Sequence, residues 1–156
     1  MGLDMYLNAK RYMSPHFDKG DADKQKAIAD LFPELAELPG RFGDKSPVKE
    51  VTAEVGYWRK ANAIHDWFVK NCQGGEDDCR NAHVSSEDLA ALRDICRKVL
   101  DDRDQAAELL PTASGFFFGS TEYSQHYFED LEHTIKIIDV ALSLPDSWDF
   151  EYHSSW

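Results

Sequence analysis

The sequence predicts a single α+β domain, residues 1–156, with about three main helices packed on a small antiparallel sheet. Three observations carry this prediction. Leu3, Met5 and Leu7 alternate with Asp4, Tyr6 and Asn8, the period of a half-buried strand. The stretches around Leu89, Leu92 and Val99 and around Leu131, Ile135 and Ile138 repeat apolar residues at helical spacing. The composition is 42% hydrophobic and 12% aromatic over 156 residues, enough for one core, and no repeat, linker or low-complexity segment interrupts it.

Taken in order, residues 2–10 read as the first strand, ended by Ser14-Pro15. Residues 21–38 read as helical, with Ile28, Leu31, Phe32, Leu35 and Leu38 on one face. Pro33 lacks a donor and clashes one turn back, so it predicts a kink or a second short helix that it opens. Residues 40–49 read as an exposed loop. Val51, Ala53 and Val55 alternate as a second strand, and Gly56 is expected to hinge into a helix over 57–71. Tyr57, Ala61, Ile64 and Phe68 form the buried stripe of that helix, with Trp58, Asn62, His65 and Val69 on one shoulder. An acidic turn follows at 73–78, then a short extended piece near Val84. Ser85 or Ser86 caps the next helix, whose apolar face is Leu89, Leu92, Ile95, Cys96 and Val99. Residues 105–110 form a further helical turn. The last helix spans 121–143, capped by Ser120 or Thr121, with Tyr127, Leu131, Thr134, Ile135, Ile138 and Leu142 as its stripe. Pro145 stops it, and residues 150–154 suit a closing strand.

Charge narrows the function classes. The formal charge is -12, from 29 acidic and 17 basic residues. Such a chain repels a phosphate backbone, so direct nucleic-acid binding is disfavoured. Three cysteines, an odd count, with no basic region ahead of an apolar run at the start, point to reduced thiols in a cytosol. No apolar run is long enough for a membrane helix. No cofactor is expected, and no feature sets the oligomeric state.

The densest chemistry lies in residues 115–128. Three phenylalanines run into Gly119, followed by a Ser-Thr-Glu helix start. Helix starts offer free N–H groups and partial positive charge, and Gly119 permits close approach, so an anion site is predicted there. Arg59 or Lys60 adds charge, while Trp58 and residues 116–118 offer stacking surface for a base. The same pattern also suits a hydrophobic plug ahead of an ordinary capped helix. Segment 115–121 lacks the lysine of a phosphate-binding loop. Asn62 and His65 share a side with Trp58 and are candidates to hydrogen-bond a ligand, with His65 a candidate general base. The candidate ligand-binding residues are thus Trp58, Arg59, Lys60, Asn62, His65, Trp67, Phe117, Gly119, Ser120, Thr121 and Tyr123. No residue is assigned as catalytic. His126, Glu129, Asp130 and His133 have metal-compatible spacing but read as a solvated face, and Cys72, Cys79 and His83 match no zinc signature, so no metal is assigned.

Several words of the sequence resemble a family of small hypothetical proteins encoded by bacteriophages. They are Met1-Gly-Leu-Asp-Met-Tyr-Leu7, Gly56-Tyr-Trp-Arg-Lys-Ala-Asn-Ala-Ile-His65 with Trp67-Phe68, and Ser114-Gly-Phe-Phe-Phe-Gly-Ser-Thr-Glu-Tyr123. The terminal Tyr152-His-Ser-Ser-Trp156 is similar too. The resemblance implies phage origin and action in the host cytoplasm, and it carries over no catalytic or binding residue. The leading expectation is a non-enzymatic accessory protein that binds a host protein or a small anionic, nucleotide-like ligand, with a role in countering host defence. Two alternatives stand beside it. Acidic runs such as 76–78 and 101–104 can mimic nucleic acid toward a DNA- or RNA-binding host protein. A hydrolase or transferase would use His65.

Overall fold

Alternation shapes the first strand, β1 (Asp4–Tyr12). Met5, Leu7 and Ala9 are fully buried, while Asp4, Tyr6 and Asn8 are only partly so. One face therefore enters the core and the other stays partly open. The computed structural model describes residues 2–38, 46–115 and 118–156. Its other strands are β2 (Glu50–Arg59), β3 (Ala82–Val84) and β4 (Asp149–Ser155). The helices are α1 (Asp21–Leu31), α2 (Asn62–Cys72), α3 (Ser86–Asp101), α4 (Ala106–Leu109) and α5 (Gln125–Leu142), with 3₁₀ turns at Pro33–Glu37 and Arg103–Gln105. The fold is α+β, with the antiparallel sheet ordered β2-β1-β4-β3. β3 pairs with β4 so that His83 faces Glu151. Of the expected loop 40–49, residues 40–45 lie outside the described residues, as do Phe116 and Phe117.

The second strand departs from the sequence reading. Residues 57–59 continue β2 instead of opening a helix. Gly56 is no hinge: a Cβ there would stand 2.5 Å from Ile137 Cγ2, so the glycine lets α5 lie close against the strand. Tyr57 and Arg59 point outward and Trp58 inward, as strand alternation requires. The true break is Lys60, whose φ of 61° is left-handed. Ala61 follows at φ -76° and ψ 68°, the values of an inverse γ-turn, and Lys60 O accepts from Asn62 N at 2.9 Å. Two residues thus turn strand into helix.

Contacts divide the chain into two units, Met1–Ala9 with Ala53–Trp156, and Lys10–Thr52. In the larger unit, α2 and α5 cover the inner sheet face. Phe68 stacks on Tyr152 with ring centroids 4.1 Å apart, and Trp58 Nε1 donates to Thr134 Oγ1 at 2.9 Å. α3 packs on α5 through Leu89, Leu92, Cys96 and Val99, all buried. Its start is a capping box: Ser85 Oγ accepts from Asp88 N, and the Asp88 carboxylate accepts from Ser85 N. On the outer face, Tyr6 stacks on His153 at 4.8 Å and tilts against Tyr57 at 5.4 Å, a ladder across three strands.

The smaller unit is held by polar groups. Gln25 Nε2 donates to Met13 O and Val48 O at 3.1 and 2.7 Å. Buried Asp21 accepts from Arg11 at 2.8 Å and from Ser14 N at 2.9 Å. The apolar stripe expected over 21–38 is not buried. α1 ends at Leu31, and Pro33 opens a 3₁₀ turn of different period. The phase is lost there, which leaves Leu31, Phe32 and Leu38 exposed.

Candidate functional site

A cleft of about 300 Å³ opens where the β2–α2 turn meets the start of α5. Lys60, Asn62, Gly119, Ser120, Tyr127 and Asp130 are among the residues that line it. Lys60 is placed by backbone alone. Its N–H donates to Leu3 O at 2.8 Å, and its left-handed φ directs the chain away from the strand. A Cβ on Gly119 would stand 3.3 Å from Lys60 Cβ, and one on Gly2 would stand 3.2 Å from Lys60 Cε. The lysine stem therefore lies between two glycines. Gly119 has φ 87°, a conformation that glycine adopts without strain. Among the described residues the Lys60 ammonium has no ion pair or hydrogen-bond partner.

Asn62 organises the loop wall. Its Nδ2 donates to Phe118 O at 3.0 Å and Ser120 O at 2.8 Å, and its Oδ1 accepts from Ala113 N at 3.1 Å. Both ends of segment 113–120 are thereby tied to the first residue of α2. All the polar capacity used here is internal, so Asn62 shapes the cleft instead of reaching into it.

The structure brings Arg59, Lys60, Asn62, Gly119 and Ser120 to one cleft. It places the other sequence candidates elsewhere. Trp58 is buried at 2% exposure and Trp67 at 9%, inside the core. His65 is buried at 1%, with Nδ1 2.7 Å from Tyr152 Oη and Nε2 2.9 Å from Asp77 Oδ2. Trp156 Nε1 donates to the other Asp77 oxygen at 3.0 Å, and its ring meets Phe118 edge-on. His65 thus knits β4, the acidic turn and the loop, and both its nitrogens are occupied. A general base needs a path to substrate, which this histidine lacks. Thr121 accepts from Thr112 Oγ1 through its carbonyl, and Tyr123 packs edge-on against Tyr127. Phe117 lies outside the described residues.

The last helix also starts later than its sequence suggests. α5 begins at Gln125 with Ser124 at the N-cap, and no side chain caps it. Residues 120–122 form a turn in which Glu122 N donates to Ser120 Oγ at 3.1 Å. The expected Ser120 or Thr121 cap is therefore a turn signal.

Sequence reasoning missed Asp130, read there as part of a solvated face. It lines the cleft, and burial raises its carboxyl to about 6, partly offset by His133 and His126. Its spacing from Tyr127 and Thr134 on the buried stripe, three and four residues away, is the signal that places it at the edge of the core. Among the described residues its carboxylate has no hydrogen bond or ion pair, and His133 and His126 act on it only through space. His126 turns instead to Glu129 at 3.2 Å, and His133 to Tyr57 O at 2.9 Å. The raised value has a stability consequence. The folded chain holds this proton up to about 6 and the free carboxyl only to 3.8, so the contribution is present below 3.8 and lost as pH rises through 6. Asp130→Asn is therefore expected to raise Tm at pH 7.5 and to leave it unchanged near pH 4, measured by thermal unfolding at both.

Burial pushes the Cys72 thiol up to about 12, which disfavours the thiolate that zinc requires. Among the described residues no three His, Cys, Asp or Glu side chains stand together to hold a metal ion. No helix among them is long and apolar enough to cross a membrane. Comparison with family models, with curated proteins and with solved structures yields no match in any of the three.

Proposed function

We propose that this is a non-enzymatic binding protein whose cleft holds a small anionic, nucleotide-like ligand. The observation that carries the reading is Lys60. Among the described residues its ammonium has no carboxylate partner, in a chain of charge -12 where carboxylates outnumber cations. A cation left unanswered beside a cleft is a recognition group for an anion. The uncapped first turn of α5 on the same cleft adds N–H groups of matching polarity. The volume of about 300 Å³ is at the small end for ligand pockets, room for a sugar phosphate or a mononucleotide. The phage-like sequence words support placing this binding in a host cytoplasm, as an accessory function directed at a host signal or at a host protein that uses it.

The test is Lys60→Gly with sulfate, pyrophosphate and AMP in titration calorimetry. Glycine accepts φ 61° freely, so relief of about 1 kcal/mol of left-handed strain offsets its chain entropy and Tm stays close to wild type. Affinity for the anion that binds best is expected to fall at least tenfold. Equal affinity in Lys60→Gly and wild type, or no binding of any of the three, sinks the reading.

A further inference from the structure

Three charged side chains that line the cleft, Lys60, Asp130 and Glu122, form no ion pair among the described residues. Lys60 and Asp130 are of opposite sign and form no ion pair with each other, and Asp130 is half-buried where Glu122 is exposed. A bare anion satisfies only the first of them. We propose that Asp130 selects the ligand: the cleft takes an anion that also carries hydroxyl or amino donors, such as the ribose hydroxyls of a nucleoside monophosphate, over an anion that has none. This rests on the reading of the cleft as an anion site and adds the second half of the recognition.

The surroundings of Asp130 leave it to the ligand. On α5, His126 Nδ1 lies 3.2 Å from Glu129 and His133 Nε2 2.9 Å from the Tyr57 carbonyl, so both imidazoles act on Asp130 through space without bonding it. Tyr127 donates to Leu110 O at 2.8 Å. Across the cleft, Arg59 lies 3.9 Å from Asp4, and Lys60 forms no ion pair with Asp130. On the loop, Glu122 adds a second negative charge to the lining. No protein donor among the described residues bonds the Asp130 carboxylate, so a donor on a ligand can take that place. Burial raises its carboxyl to about 6, so at pH 7.5 it is ionised and only partly hydrated. That is the state in which a charge-assisted hydrogen bond gains most. A site built to bond a hydroxyl rejects the analogue without it, because its own polar group is then left desolvated and unpaired. A bare anion meets repulsion from the same carboxylate.

Titration calorimetry of the full chain at pH 7.5 tests this with AMP, 2′,3′-dideoxy-AMP and sulfate. Wild type is expected to bind AMP about tenfold more tightly than the dideoxy form. In Asp130→Ala that ratio falls to near one, and sulfate binds more tightly than to wild type. Lowering the pH to 5.0 neutralises Asp130 and is expected to strengthen sulfate binding in wild type, and less so in Asp130→Ala. His126→Gln retains the wild-type pH response, which separates the exposed histidine from the carboxylate. Lys60-dependent binding of all three probes with no AMP preference, or a preference that survives in Asp130→Ala, overturns the role of Asp130 and leaves the anion site standing. Absence of any Lys60-dependent binding overturns both.

Discussion

Replacing Asn62 by Ala is expected to lower stability by about 3 kcal/mol and to abolish the proposed anion binding together with it. Asn62 is 4% exposed and makes three hydrogen bonds to backbone, two donated and one accepted. The alanine variant leaves the Phe118 and Ser120 carbonyls and the Ala113 N–H without these partners, and an unsatisfied buried group costs roughly 1–3 kcal/mol. The segment they belong to carries Gly119, so its release opens the cleft on the side facing Lys60. Asn62→Asp keeps the shape and one acceptor but turns a carboxylate oxygen toward two carbonyl oxygens, so it is expected to be at least as damaging. Urea denaturation of both variants reads the effect. A loss below about 1 kcal/mol in Asn62→Ala would show that the loop is held by other means.

Gly56→Ala is expected to cost about 2–3 kcal/mol, large for the addition of one methyl group. The new Cβ would stand 2.5 Å from Ile137 Cγ2 and 3.2 Å from the Trp58 ring. Neither neighbour is free to retreat, since Trp58 is buried and bonded to Thr134 and Ile137 is 6% exposed. Overpacking a filled core forces side chains off their rotamers or shifts backbone. The diagnostic is a double-mutant cycle with Ile137→Ala. If contact with Ile137 is the cause, the double variant loses about 1–2 kcal/mol less than the two single losses combined. Strict additivity would assign the cost to the strand backbone instead.

Gly56 also shows where the sequence was legible and where it was not. The fold class could be read because strand alternation at Leu3–Leu7 and the apolar stripes of α3 and α5 are long and regular. The stretch after Gly56 could not. Tyr57-Trp58-Arg59 fits a strand by alternation and a helix by its spacing to Ala61 and Ile64, and a glycine serves a hinge or a close approach equally well. The real turn sits at Lys60, a residue type with no preference for left-handed backbone, so no local signal marks it. The stripe of residues 28–38 failed because Pro33 changed the helical period partway along. The cleft gathers Lys60, Gly119 and Ser120, which the sequence singles out by charge, by a glycine's freedom of approach and by an expected helix cap that is instead a turn. Trp58 and His65 read as ligand groups because aromatic and imidazole side chains on an expected helix shoulder look alike whether the fold or a ligand covers them. Asp130 was overlooked because a carboxylate between His126 and His133 resembles ordinary surface, and only tertiary burial distinguishes it.

The glycines flanking Lys60 bear on more than space. A lysine side chain held in one orientation gives up about 2 kcal/mol of rotamer freedom, and most surface lysines surrender it only when a partner arrives. Here Gly2 and Gly119 leave room for the stem, while Lys60 is exposed and its ammonium has no partner among the described residues, so that freedom is intact in the folded chain. An anion that engaged Lys60 would have to order the side chain at each encounter, and the tightness of binding would be set as much by that entropy as by charge.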